Sequence, residues 1–157
     1  MPNWMRWLAI SAGVIVLDQI TKYWITAVFQ LGDKLPVLPS FNLVLAYNTG
    51  AAFSLLADAG GWQRAFFSLV AVAASTVIVF LLRRHPHQTL FSLALALILG
   101  GALGNLIDRI TLGHVIDFIQ LYWHDYYWPA FNVADSAITG GAVLLVWDSF
   151  RKPAKPR

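Results

Sequence analysis

The sequence predicts an all-α membrane protein, four transmembrane helices carrying a small strand-and-helix cap. Three observations carry that prediction. Hydrophobic residues make up 58% of the 157 residues and charged residues 12%. That is about half the usual share of charge, too little polar surface to cover a water-soluble globule of this size, and the mean hydropathy is +0.62. The apolar residues are gathered into four runs, at about 4–29, 65–82, 90–107 and 132–150, each long enough to cross a bilayer as a helix. The bases sit at the ends of those runs, so the formal charge of +3 reads as membrane topology rather than as a nucleic-acid surface.

By length the chain is a single domain, 1–157. It has no cysteine, which excludes disulfides, thiolate metal sites and a cysteine nucleophile. All eight of its acids are aspartates.

The first run opens on Trp4-Met5-Arg6-Trp7 and is interrupted by Asp18 and Lys22 before it ends near Phe29. A secretory signal peptide is the competing interpretation. Asp18 inside the run and the poor small-x-small site at Ile25-Thr26-Ala27 count against it. Residues 31–58 break the helical pattern: Gly32, Pro36 and Pro39 punctuate them, 41–47 is short and β-prone, and Asn48-Thr49-Gly50 signals a turn. Residues 51–57 are expected to form a short surface helix. The runs at 65–82 and 90–107 are free of charge and joined by a tight connection at Pro86. The last run starts at Asn132.

Four spans put both termini on one side, together with Arg6, Arg83, Arg84, Arg151, Lys152, Lys155 and Arg157. The positive-inside rule makes that side cytoplasmic. The stretch 114–136 then lies at the opposite boundary, an aromatic loop bracketed by two acids, Asp117 and Asp135.

Several polar residues have ordinary explanations. Asp148 precedes Arg151 and Lys152 by one helical turn, the spacing of an interfacial ion pair. Gly100 and Gly104, like Gly140 and Gly141, permit close helix packing in lipid. Asp18 and Lys22, also one turn apart, neutralise each other, support a polar site, or do both. Asn105, Asp108 and Arg109 close the third run. Positions 101, 105 and 108 share a face, so Asn105 can point into the bundle, while Asp108 and Arg109 read either as a local pair or as an arginine meeting a lipid phosphate or peptide carbonyl.

Asn132 is a good N-cap, which makes Asp135 a third-position acid balancing free N–H groups. Asp117, among branched and aromatic residues, has no such local partner. A serine nucleophile at Ser136 lacks a spaced base, and a His-Asp metal site lacks ligand spacing. Two aspartates sharing one site remain. When like charges approach, one pKa rises and a single proton is shared, which is the aspartic-protease solution to amide hydrolysis and needs neither metal nor cofactor.

The segments 17–19 (Leu-Asp-Gln) with Lys22, 47–53 (Tyr-Asn-Thr-Gly-Ala-Ala-Phe), 101–109 (Gly-Ala-Leu-Gly-Asn-Leu-Ile-Asp-Arg), 113–118 (Gly-His-Val-Ile-Asp-Phe) and 131–136 (Phe-Asn-Val-Ala-Asp-Ser) together resemble the signal peptidase II family, the prolipoprotein signal peptidases. The resemblance implies a four-helix aspartyl endopeptidase of the bacterial inner membrane, its active site on a periplasmic β-cradle. Its partners would be membrane lipids and diacylglyceryl-modified prolipoproteins, cut just before the lipidated cysteine. Asp117 and Asp135 match the catalytic pair. Asn48, Asn105, Arg109 and Asn132 match polar residues around it, and Asp18 and Lys22 its support. The aromatics Phe118, Tyr122, Trp123 and Trp128 would hold the acyl-bearing end or anchor the interface. The helix N-terminus at Asp135 favours its charged form, which leaves Asp117 as the proton carrier. The rival interpretations are a small four-helix proton-coupled transporter and a non-catalytic assembly factor.

Overall fold

The computed structural model describes residues 2–50 and 61–151; the surface helix expected over 51–57 lies outside them. Four long helices form: α1 (Met5–Val28), α2 (Trp62–Arg84), α3 (Thr89–Thr111) and α4 (Val133–Phe150). Each is long and apolar enough to span a bilayer. Large apolar side chains such as Leu17, Ile20, Val77, Val143 and Trp147 lie on the outside of the bundle, exposed to whatever surrounds it. Such a surface is compatible with lipid and not with water.

The central helix is α3, with 56% of its apolar window buried against 11–22% for the others. Its glycines explain how neighbours come so close. A Cβ on Gly101 would run into the Ala134 carbonyl of α4, and one on Gly100 would lie 2.8 Å from the Ser11 carbonyl of α1. Gly141 packs against α3 in the same way, whereas Gly140 faces open space. Only half of that glycine pair is a packing device.

Four strands follow the order β1 (Lys34–Leu38), β2 (Phe41–Asn48), β3 (Val115–Trp123) and β4 (Tyr126–Tyr127), all antiparallel. The strand β3 corrects the expectation of an aromatic loop. Val115-Ile-Asp-Phe-Ile is rich in branched residues, and β2 offers it an edge to pair with. Its period of two sends Ile116 and Phe118 to one face, where they pack with Ile25 of α1 and Leu45 of β2, and turns Asp117 the other way. Phe118 is therefore a core residue. Gly113, with φ of +85°, ends α3 in the left-handed conformation and feeds the chain directly into β3.

The far half of the bundle has its own core cluster, containing Trp7, Ile78, Leu82, Leu95 and Leu99. There Asp148 and Arg151 meet only through the backbone, Arg151 N–H to Asp148 O at 3.1 Å. The expected interfacial ion pair with Arg151 is absent among the described residues, because the chain leaves the helix at Arg151 in an extended conformation.

Candidate active site

The two acids are brought together by one asparagine. Asn132 caps α4, its Oδ1 accepting the Asp135 N–H at 2.9 Å. Its Nδ2 donates to Asp117 Oδ1 at 2.8 Å and to the Ile116 carbonyl at 3.1 Å. The cap of one element thus holds the carboxylate of another. The Asp135 carboxylate does not turn back onto its own helix end as a simple capping acid would; its Oδ1 accepts from Asn105 Nδ2 at 2.8 Å.

Asn48 completes the shell. In the β2–β3 register Ala46 faces Asp117, so Asn48 lies two residues along on the same face of the sheet. Its Nδ2 donates to Asp117 Oδ2 at 3.1 Å, and its Oδ1 accepts the Gly50 N–H at 2.9 Å, closing the predicted turn. Arg109 Nη2 donates to the Gly50 carbonyl at 2.9 Å, and its guanidinium lies over the Phe67 ring. Arg109 thus meets a peptide carbonyl, one of the partners weighed for it.

Asp117 is 2% exposed. Burial, then the charge of Asp135, push its pKa up to about 7, against the opposing pull of the Asn48 and Asn132 hydrogen bonds and the charge of Lys22. A carboxyl so placed changes protonation near neutrality and senses its neighbour's charge as it does so.

Beneath the pair lies a buried ionic network. Lys22 Nζ is 2.8 Å from Asp18 Oδ2, 2.8 Å from Asp108 Oδ2 and 2.9 Å from Asn105 Oδ1, which satisfies its three donors. Asp18 and Lys22 therefore do pair, and the expected Asp108–Arg109 pair gives way to Asp108–Lys22. Each acid also accepts a backbone amide, Asp18 on its other oxygen and Asp108 on the same Oδ2 that meets Lys22. Asp18 Oδ1 accepts the Ala134 N–H at 2.9 Å, one residue before Asp135, and Asp108 Oδ2 accepts the Ile116 N–H at 3.2 Å, one residue before Asp117. Each candidate acid is thus anchored through its preceding backbone amide.

Asp108 and Gln19 were not among the predicted site residues. Gln19 Nε2 donates to Asp108 Oδ1 at 2.9 Å. The signal for Asp108 was its shared face with Asn105, and it was masked by the adjacent Arg109. Gly104 belongs to the site too, since a Cβ there would lie 2.7 Å from Asp18 Oδ2.

Asp135 opens onto a cavity of about 890 Å³ lined by Tyr122, Trp123, Trp128, Phe131 and Thr139. Three of the four predicted aromatics therefore face it, and Phe118 does not. His114 stacks on Tyr47 with ring centroids 4.0 Å apart, and burial lowers its pKa. It bonds to neither acid among the described residues.

The model of the family described as signal peptidase (SPase) II matches residues 10–151. A lipoprotein signal peptidase from Burkholderia mallei (strain SAVP1) is 57% identical over 146 residues, spanning 93% of this chain and 88% of the relative. One from Cupriavidus necator is 56% identical over 148 residues, 94% of this chain and 85% of its own. Two solved structures of a bacterial membrane enzyme, obtained by the in meso method at 2.3 Å and 1.9 Å, superpose with a TM-score of 0.82. They are 31% and 32% identical and cover 97% and 94% of this chain, and 94% of each of their own.

Proposed function

The chain belongs to the signal peptidase II family, and from that premise we propose that it is an aspartyl endopeptidase that removes the signal peptide from diacylglyceryl-modified prolipoproteins. The observation that carries the aspartyl assignment is the Asn132 bridge, one amide bonded to the Asp117 carboxylate and to the Asp135 backbone. Among the described residues the other two buried acids, Asp18 and Asp108, are both paired with Lys22.

In the proposed reaction Asp135, ionised and facing the cavity, takes a proton from water. Asp117 carries the shared proton and donates it to the scissile carbonyl oxygen as the hydroxide adds to carbon. The resulting diol collapses when Asp135 passes its proton to the departing nitrogen and Asp117 recovers its own. No bond is made to the enzyme. The aromatic cavity beside Asp135 suits the acyl-bearing cysteine, and membrane lipids are the other partners.

The chain is a bacterial inner-membrane protein with four spans. We assign both termini to the cytoplasm from the arginines that gather at the helix ends away from the aspartates, and with them a periplasmic active site on a single peptidase domain, 1–157. Asn48, Asn105, Arg109, Asn132, Asp18 and Lys22 act as positioning residues. A transporter would need ionisable groups through the depth of the membrane; α2 carries none between Arg64 and Arg83.

The test uses purified Asp117→Asn and Asp135→Asn with a lipidated precursor peptide. Each variant, folded as wild type by circular dichroism, is expected to lose cleavage by at least about a thousandfold. Unchanged cleavage by either refutes the dyad. The proton assignment is read separately by infrared difference spectroscopy: a protonated-carboxyl band retained in Asp117→Asn and lost in Asp135→Asn reverses it.

A further inference from the structure

At the end of the bundle away from the aspartates, α1 and α2 do not close on each other. They leave a groove of about 670 Å³, floored by Leu99 of α3 and walled mainly by Leu8, Ala12, Val79 and Phe80, with the hydroxyls of Ser11, Ser75 and Thr76 among them and Arg83 at its mouth. The groove runs along the helices within the membrane-spanning zone, so its walls call for an apolar, chain-like occupant.

Arg83 is the one charged residue of the lining, and Arg6 and Arg84 lie at the same ends of α1 and α2. Arg83 lies over the Trp4 ring at 4.6 Å, Arg6 over the Trp7 ring at 4.7 Å, and Arg84 over the Phe80 ring at 4.7 Å. Arg6 donates once, to the Pro86 carbonyl at 3.2 Å. Among the described residues no carboxylate lies within ion-pair distance of any of the three. Three guanidinium groups are thus held by aromatic faces with most of their donors unused. This is an arrangement pre-ordered for a phosphate, because a flat cation resting on a ring keeps its edge N–H groups directed outward.

We propose that this groove is a binding site for an anionic diacyl phospholipid of the leaflet opposite the aspartates, one acyl chain lying between α1 and α2 and the phosphate held by Arg83 and Arg6. Charge complementarity selects the lipid over the other chains that could lie there. A cationic membrane-anchored segment would be repelled by the three arginines, and a zwitterionic lipid would bring its own cation to them. The proposal does not depend on the peptidase assignment.

Native mass spectrometry of the full chain in detergent tests it, using phosphatidylglycerol and phosphatidylcholine with identical tails. Wild type is expected to retain phosphatidylglycerol about thirtyfold better, the scale set by two arginines near a charged surface. Arg6→Gln/Arg83→Gln should bring the two lipids to near parity, with Arg83→Gln alone giving an intermediate preference and Arg83→Lys keeping most of it. Ala12→Phe, which fills the groove from a lipid-facing position, should reduce retention of both lipids several-fold without changing the preference. The proposal is overturned if the double arginine variant keeps the wild-type preference, or if Ala12→Phe holds as much lipid as wild type. It is overturned equally if millimolar inorganic phosphate or a soluble acidic peptide displaces the lipid.

Discussion

Replacing Lys22 with Met removes one ammonium and leaves a side chain of similar length, so packing is nearly conserved and charge is not. The ammonium is 2.8 Å from each of two carboxylates, Asp18 at 0% and Asp108 at 2% exposure, and no other cation is ion-paired to either among the described residues. Deleting one partner of a buried ion pair costs about 3–5 kcal/mol, because the charge left behind stays desolvated and unpaired. Against a total stability of about 5–15 kcal/mol that is a large loss.

The same network predicts its own repair. Asp108→Asn removes one of the stranded charges, and an asparagine Oδ1 can still accept the Ile116 N–H that Asp108 takes at 3.2 Å. The double variant should therefore be more stable than the sum of the single changes by about 1–3 kcal/mol. Titration with sodium dodecyl sulfate in mixed micelles, followed by circular dichroism, measures all four corners of the cycle. A loss below about 1 kcal/mol for Lys22→Met, or additivity within about 0.5 kcal/mol, refutes the ionic account of this core. Cleavage should fall further than stability, since Lys22 also holds Asn105 Oδ1 and so turns its NH₂ toward Asp135.

Asp117 titrates near 7, so cleavage should rise as the proton is retained below that pH and fall as pH climbs through it; a rate profile that keeps rising to pH 9 refutes the shared proton. The linkage has the same sign: the raised pKa means the fold binds the proton more tightly than the unfolded chain, so stability is present below about 4 and lost up to about 7. Wild type should lose about 3 kcal/mol between pH 5 and pH 9 that Asp117→Asn does not, in paired unfolding titrations at both pH values. Gly104→Ala places a methyl 2.7 Å from Asp18 Oδ2 and should cost about 1–3 kcal/mol together with most of the activity. Gly140→Ala meets nothing within 4 Å and should leave stability unchanged or raise it by up to about 1 kcal/mol; a comparable loss in both would mean that the Gly104 effect is not steric.

The helices were legible because hydrophobicity alone places them, even where Asp18 and Lys22 interrupt α1. Their ends were not. α3 runs on to Thr111, past Asn105, Asp108 and Arg109, which looked like a polar exit. Asn105 and Asp108 belong inside because Lys22, 83 and 86 positions earlier, supplies the partner that makes burial affordable, and a separation of that size leaves no local trace. The near neighbour Arg109 supplied a plausible but wrong one. The strand β3 was obscured by its aromatics, which fit an interfacial loop as well as a pleated edge; only the presence of β2 decides between them. The Asp117–Asn132–Asp135 constellation was half visible. The cap at Asn132 can be read from the chain, but the other end of that side chain, on Asp117, depends on how the sheet lies against α4.

The amide orientations in this site follow from one another. Asn132 Oδ1 must face the Asp135 N–H, which can only donate, so its Nδ2 is the end left for Asp117. Asn105 Oδ1 takes Lys22 Nζ and Asn132 Nδ2, so its own Nδ2 is the end left for Asp135. Asn48 Oδ1 takes the Gly50 N–H and again presents nitrogen, to the other oxygen of Asp117. Among the described residues, the three side chains bonded to the two carboxylates, Asn48, Asn105 and Asn132, are therefore all amide donors. No side-chain acceptor is hydrogen-bonded to either carboxylate among the described residues. A proton on this pair stays with it until water or substrate arrives, and a support residue exchanged for one that accepts as readily as it donates would give that proton a third place to go.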